Sequence, residues 1–515
     1  MKKNVLALSI AAMVGGLGFA GAASAQLAPA TELRTAESGT GHILLVPYFN
    51  AQNKNMSVFH VVNTDTSNGK AVKVRFRGAA NSDDILDFQV FLSPGDVWTA
   101  AVSANAEGIS QLVTYDNSCT LPRIAKGVPV PFITSRLNGK MTQLDIANNT
   151  REGYVEMFNM ADIKADSVLF KAIKHVNGVA PCTETVLDNT LTTGKQTAGL
   201  ANPTTGLTGS WYIINVPETT TYSGAANVIR AVDSLGNPAA GVNVFSAQDA
   251  SAPINLAGST ADPLLRSGLV AAASYDLPDL STPYLASTGT PEAQVDALAE
   301  ALSATSVINQ FANDAAITAK TDWVISMPTR RYSIAANYNA PVSATKGTIA
   351  AAAAAPASVY RVYNEATNTY FSKNAAGNTS VDGQGRICIS SVGQVFYDRE
   401  ETGAKKGEAV FSPQTPSKSA DLCGEASVLS FNSAIGQVSV LDASVARGNV
   451  NTPSENGWSQ MNFGGAVPVL GAAFIKVNNR DVGNGKSGTY GITWPHAYVA
   501  PVKERPVNPS AAMAR

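Results

Sequence analysis

Histidine is scarce in this chain: His42, His60, His175 and His496 are the full complement among 515 residues. None pair as H-x-H or H-E-x-x-H, which excludes the local zinc-hydrolase pattern. Charge is scarce too. Only 15% of residues are Asp, Glu, Lys or Arg, against about 25% in ordinary soluble domains. No basic stripe of the kind nucleic-acid binding requires is present, and the formal net charge is −2. Long apolar runs are missing after the N-terminus, since the alanine run 350–355 stops at Pro356, well short of the roughly 20 residues of a spanning helix. The G-x-S-x-G nucleophile elbow and the C-x-x-C-H haem attachment are both lacking. A dispersed Ser/His/Asp triad leaves no local trace. The reading from these absences is a protein that is not an enzyme.

What the chain does have begins at its N-terminus. Met1-Lys2-Lys3 is a short positive segment, followed by a mostly apolar stretch to Ala20 and the small-residue pattern Ala23-Ser24-Ala25. This is the form of a cleaved export signal, with the mature chain starting at Gln26. Removing Lys2 and Lys3 takes the net charge from −2 to −4. Such a weakly charged surface repels its own copies little.

Four cysteines, Cys119, Cys182, Cys388 and Cys423, form an even set, which in an exported chain favours two disulfides. Three connectivities are open; proximity in sequence favours Cys119 with Cys182 and Cys388 with Cys423. No two cysteines lie close together and no histidine sits at ligand spacing from them, which argues against a zinc site.

The clearest structure lies between Gly41 and Ser103. Gly41 to Phe49 reads as a strand whose Pro47 suggests an edge or the first strand of a sheet, and Met56 to Asn63 as a strand covered on both faces. Asn68-Gly69 carries a hairpin signal. After it, Val72, Val74 and Phe76 alternate with Lys73, Arg75 and Arg77, predicting three apolar groups in a core and three cations at a surface. Leu86 to Leu92 repeats the alternation. Ser93-Pro94-Gly95-Asp96 is a β-turn, and Val97 to Ser103 is a further strand. Strands are also expected at 153–160, 209–216, 322–327, 359–363, 428–431 and 467–477. The Pro/Ser/Thr/Gly-rich stretch 253–291 reads as a surface excursion. One helix is predicted there, capped by Thr290 with Pro291 at its first position, its apolar face running through Val295, Leu298 and Leu302 toward Ile308 and Phe311.

The expected fold class is therefore all-β and mainly antiparallel, with long loops and one or two short helices. The expected organisation is a signal at 1–25, a β-sandwich-like domain at 26–189, a β-rich domain at 190–500 with a loop and helix insertion around 253–315, and a loose tail at 501–515.

Gly483 to Gly488 matches G-x-G-x-x-G letter for letter. A dinucleotide site needs a helix after those glycines, whereas Thr489 to Trp494 reads as a strand, so a turn is expected. Oxygen-rich segments at Asn81-Ser82-Asp83-Asp84 and Asp398-Arg399-Glu400-Glu401 are weak calcium candidates, Asp83 and Asp84 foremost, with solvated turns the plainer reading. No cofactor is expected beyond structural calcium at such a loop. Asn148-Asn149-Thr150 and Asn378-Thr379-Ser380 are formal glycosylation tripeptides of little weight beside a bacterial-looking signal.

The run Val61 to Val102 resembles a family of exported cell-surface proteins of Gram-negative bacteria. TYDNSC ending at Cys119, TREGYVEMFNMAD from Thr150 to Asp162, KHVNG from Lys174 to Gly178, FYDRE from Phe396 to Glu400 and GWSQMNF from Gly457 to Phe463 also fit. Some members resemble surface-layer-type proteins that tile the outer envelope, and the resemblance carries no catalytic residues. It implies a self-assembling surface protein whose main partner is its own copy, with the outer membrane or its lipids as a further contact. An outer-membrane β-barrel is a second expectation, weakened by an ending in Met513-Ala514-Arg515 without a terminal aromatic. A secreted adhesin or carbohydrate-binding module is a third, with Trp98, Trp211, Trp323, Trp458 and Trp494 as candidate stacking residues, single strand tryptophans being more often core.

Overall fold

Apolar residues at every second position make strands that need cover on at least one face, and two such sheets facing each other supply it. A computed structural model describes residues 27–36, 39–183, 186–187, 199–246, 248, 260–266, 279–287, 289–338, 361–364, 379–382, 384–391, 393–400, 421–432, 439–479 and 488–501. The expected signal at 1–25, most of the expected turn at 483–488 and nearly all of the expected tail at 501–515 lie outside them.

The N-terminal half contributes fourteen strands among the described residues. In chain order they are β1 (Glu32–Thr35), β2 (Ile43–Asn50), β3 (Met56–Asn63), β4 (Gly69–Gly78), β5 (Asp84–Leu92), β6 (Val97–Ala104), β7 (Ser110–Thr114), β8 (Cys119–Leu121), β9 (Val130–Pro131), β10 (Glu152–Ile163), β11 (Leu200–Ala201), β12 (Leu207–Asn215), β13 (Thr220–Ala225) and β14 (Asn227–Val232). One sheet runs β1-β14-β2-β10-β4-β5-β8, with β11 on the end of β10; the other runs β13-β12-β3-β6-β7-β9. Val72, Val74 and Phe76 of β4 meet Phe59 and Val61 of β3, Trp98 of β6 and Trp211 of β12 in one core.

Two local expectations change here. Asn68-Gly69 does not close a hairpin, because β3 pairs with β6 and β12 while β4 pairs with β5 and β10. The connection is a crossing between sheets, shaped by Asp65, whose Oδ1 accepts from the amides of Ser67 and Asn68. The β-turn expected at Ser93 to Asp96 is present, with the Asp96 amide donating to the Ser93 carbonyl at 3.1 Å and Gly95 at φ +72°, and it too crosses between sheets. Finally, β2 is central despite Pro47. Its pairing with β14 stops at Leu45, and its register with β10 shifts between Gly153 and Val155, so no ladder position requires the missing N–H. The sheets also continue past residue 189, where a domain boundary was expected, because β12, β13 and β14 are hydrogen-bonded into them.

The C-terminal half builds a second sandwich. Its strands are β15 (Ser303–Ala312), β16 (Lys320–Ser326), β17 (Ile334–Asn337), β18 (Arg361–Asn364), β19 (Thr379–Val381), β20 (Ile387–Ser390), β21 (Gly393–Tyr397), β22 (Asp421–Cys423), β23 (Ala426–Asn432), β24 (Arg447–Asn451), β25 (Asn456–Pro468), β26 (Leu470–Asn479), β27 (Gly488–Pro495) and β28 (Ala497–Val499). The sheets β21-β25-β15-β28 and β24-β23-β16-β26-β27 face each other over Val307, Phe311, Trp323, Phe431 and Met461. The opposite face of the second of these sheets gives Val324, Val428 and Phe474 to the N-terminal core, where the Phe474 ring lies 5.5 Å from that of Tyr222. The two sandwiches thus share apolar contacts. No sheet closes on itself among the described residues.

Helices cover the other face of the first sheet. α1 (Gln143–Thr150) closes one end, while α2 (Val168–Ile173), α3 (Pro263–Arg266) and α4 (Pro291–Ala301) lie outside it. Thr290 caps α4 by accepting from the amide of Ala293, as the sequence predicts. Val295, Leu298 and Leu302 are buried over that sheet face. The helix ends at Ala301, and Ile308 and Phe311 belong to β15, where β-branched Thr305, Val307 and Ile308 suit a strand better. The described parts of 253–291 are not a surface excursion: Thr260, Asp262, Leu264, Ser281 and Tyr284 are all buried.

Candidate functional site

Lys73, Arg75 and Arg77 were expected at a surface, and they are instead buried. Their alternation on β4 is as predicted, but a layer that includes Gln248, Asp279, Leu280 and Tyr332 covers the polar face they share. Each cation has an acidic neighbour across the strands. Lys70 reaches Asp162 at 2.7 Å, Lys73 reaches Asp87 at 3.2 Å, and Arg77 Nε donates to Glu156 at 2.5 Å. Farther along, Arg330 pairs with Glu425 at 2.8 Å, and Arg331 with Asp262 at 3.1 Å.

Burial sets the titration of this layer. It lowers the Lys73 ammonium to about 7, against the pull of Asp87. It raises the Glu156 carboxyl, with Arg77 and Arg75 opposing. For Asp87 burial would act upward, but Lys73, Arg75 and Arg136 reverse it, leaving the carboxyl below the ordinary range. Charges removed from water and paired in this way favour one arrangement of the layers.

The calcium candidates fall inside this network and not on solvated turns. Asp83 accepts from Arg331 at 3.2 Å and from the Tyr338 hydroxyl at 2.7 Å. Asp84 accepts from Arg136 at 2.9 Å. Guanidinium groups thus occupy the positions a cation would take. At the other acidic segment, Asp398 accepts from the amide of Glu400, and Glu401 lies outside the described residues. The one cluster with metal-like spacing among the described residues, Asp382 with Cys388 and Cys423, offers no thiolate, because those two sulfurs are bonded to each other. The disulfides are Cys119–Cys182 and Cys388–Cys423. The second joins residues directly opposite on β20 and β22.

Two of the histidines, His42 and His496, are buried and hydrogen-bonded. His42 Nδ1 accepts from the amide of Ala231, so its Nε2–H faces the Ala239 carbonyl at 3.0 Å, and burial lowers its pKa to about 3. His496 stands between the Asn309 amide and the Val324 carbonyl, with a pKa lowered by burial to about 4. His60 contacts the Thr99 hydroxyl. His175 lies 3.5 Å from Asp96. The glycine-rich match at 483–488 is followed by strand β27, paired antiparallel with β26, which is the wrong context for a phosphate loop.

The tryptophans divide. Trp98, Trp211 and Trp323 are core, whereas Trp458 and Trp494 are 39% and 50% exposed. Trp458 of β25 stacks on Tyr397 of β21, with centroids 4.4 Å apart and planes at 15°. On β27, Tyr490, Ile492 and Trp494 point to one side and all are exposed. The opposite side of β27 presses on β13, where the Ser223 amide donates to Thr493 Oγ1. Sequence reasoning marked both exposed tryptophans only as members of a set; alternation cannot tell a covered strand from an overhanging one.

A cleft of about 200 Å³ lies at the junction of the two halves. One wall is α1 with Asp145 and Asn149, another the β4–β5 corner with Asn81, and a third carries Arg386 and Val445.

Comparison of the chain with protein-family models, with curated proteins and with solved structures finds no match.

Proposed function

We propose that this protein is a non-enzymatic, exported structural protein that assembles laterally with its own copies into a surface layer on the cell envelope. The carrying observation is the overhanging strand β27, with Tyr490, Ile492 and Trp494 exposed in a row. Contiguous exposed apolar groups on a folded protein mark contact surfaces, and a chain with only 15% charged residues raises little repulsion between copies. The cations of β4 are buried and paired with carboxylates, which suits a structural role. Two disulfides suit an oxidising location outside the cytosol. The resemblance to surface-layer-type proteins points the same way. Outer-membrane or lipid contact through this face belongs to the same proposal.

The test is electron microscopy of cell surfaces with and without the protein, together with sedimentation of purified chain. Ordered arrays that vanish on deletion, and association weakened by Y490S/W494S, are expected. A strictly monomeric protein with unchanged surfaces would remove the reading. A second reading, a glycan-binding adhesin, draws on the stacked Trp458–Tyr397 pair, since sugar rings pack on exposed aromatic faces. The sheets are open among the described residues, which argues against a β-barrel channel, since that requires closure.

A further inference from the structure

The start of β4 gathers an amine, a carboxamide and a carboxylate in one buried cluster. Lys70 lies on β4 opposite Asp162 on β10. Asn159 is three residues before Asp162, which on an unbroken strand would put the two on opposite faces. The register of β10 against β4 shifts between Asn159 and Ala161, and this bulge turns both side chains toward Lys70. All three are buried. Asp162 Oδ1 accepts from Lys70 Nζ at 2.7 Å and from Asn159 Nδ2 at 3.0 Å. The Thr204 carbonyl accepts from the same two groups, at 3.4 Å and 3.0 Å. An amine and a carboxamide that share both acceptors are immediate neighbours.

The carboxylate between them is placed to carry a proton. The Thr204 amide donates to Asp162 Oδ1 at 3.2 Å and its hydroxyl donates to Oδ2, which fixes the group. Burial raises the Asp162 carboxyl, with Lys70 opposing. Asp65 also faces Lys70 Nζ, at 3.2 Å, but it is more exposed than Asp162. Burial acts upward on Asp65 as well, yet the Asn68 amide, Lys70 and the Ser67 amide bring its carboxyl below the ordinary value. Asp162 is therefore the stronger base of the two. We infer that Lys70 and Asn159 join covalently in the folded chain, the amine displacing ammonia from the carboxamide to leave an amide cross-link between β4 and β10. Lys70 Nζ passes a proton to Asp162 and attacks the Asn159 carbonyl carbon. The Nζ–Cγ bond forms and the Cγ–Nδ2 bond breaks. Of the two protons that Nζ loses, one departs in the ammonia and the other stays on Asp162. The step needs no oxidant or co-reactant, and it removes two charges from a site of low polarity, which favours the product. The lattice proposal rests on β27 and is independent of it.

The experiment is tryptic peptide mapping of the full chain by mass spectrometry, after folding, reduction and alkylation. Trypsin acting on an unlinked chain releases 55–70 and 152–164 as separate peptides. Acylated Lys70 resists cleavage, so the expected product is 55–73 joined to 152–164, lighter than the two peptides together by one ammonia. Mapping locates the loss, which the mass of the whole chain does not, because an N-terminal glutamine also sheds ammonia on cyclising. K70R and N159A should abolish the linked species. D162N keeps the shape but not the proton carrier, and it should slow formation about a hundredfold. Circular dichroism verifies folding of each variant, and the wild-type map decides the matter even where a variant fails to fold. Three results overturn the cross-link: wild-type peptides that separate fully; a linked pair lighter by water, which would make Asp162 itself the acyl donor; or a linked species that forms undiminished in D162N.

Discussion

At the scale of residues, the covered cation row of β4 is the feature with the largest consequences. Arg77 and Glu156 are both buried and bonded at 2.5 Å. Removing one member strands the other in a medium of low polarity, so E156A should cost about 3–5 kcal/mol, while R77M/E156M should cost far less than the two single changes combined. Urea unfolding of the four proteins measures the coupling. His496 gives a pH prediction. Its folded pKa near 4 lies below the ordinary 6.5, so the unfolded chain takes up its proton first as pH falls. Stability from this group is complete above about 6.5 and is lost progressively down to about 4. Buried carboxyls raised by desolvation, such as Glu152 and Asp322, act in the opposite sense. The wild-type minus H496Q difference therefore isolates the histidine, and it should shrink as pH falls from 6.5 to 4. A difference independent of pH would refute the assignment.

Among elements, β10 is the spine of the first sheet, hydrogen-bonded to both β2 and β4. Gly153 sits where a side chain would meet the Arg77 carbonyl oxygen at 1.8 Å and the Phe49 ring at 2.8 Å. The obstacle is backbone and cannot turn aside, so G153A should either abolish folding or separate the strand ends, at a cost above about 3 kcal/mol. The lid helix is the opposite case, soft and modular. Leu298 is fully buried, and L298A should cost about 2–5 kcal/mol through the cavity it leaves. T290A should cost only about 1 kcal/mol, the worth of a helix cap. Denaturant midpoints rank the three. An L298A effect no larger than that of T290A would mean the helix does not cover the sheet in solution. The cap, the proline and the apolar spacing of this helix are all legible in the chain. Its end is not, because the pattern Leu298, Leu302 continues through Ile308 and Phe311 without a glycine or proline to stop it.

For the whole molecule, the disulfides close sequence separations of 63 and 35 residues. Each should contribute about 3–4 kcal/mol by restricting the unfolded chain, so the melting temperature should fall on reduction, with C119S/C182S falling slightly further than C388S/C423S. Equal melting of oxidised and reduced protein would contradict this. The all-β class, the strand runs and the neighbour pairing of the cysteines could be read from the chain alone, since a period of two, turn residues and loop length are local properties. Which strands pair could not. Asn68-Gly69 has the chemistry of a hairpin turn, yet β3 and β4 lie in different sheets, because each finds longer ladders elsewhere. Nor could the fate of Lys73, Arg75 and Arg77. Alternation placed them on the face away from the apolar core, but whether that face meets water or a second layer depends on residues some 200 positions later in the chain. The cleft between α1, the Asn81 corner and Arg386 has the same origin, because its walls come from segments distant in sequence that only packing brings together.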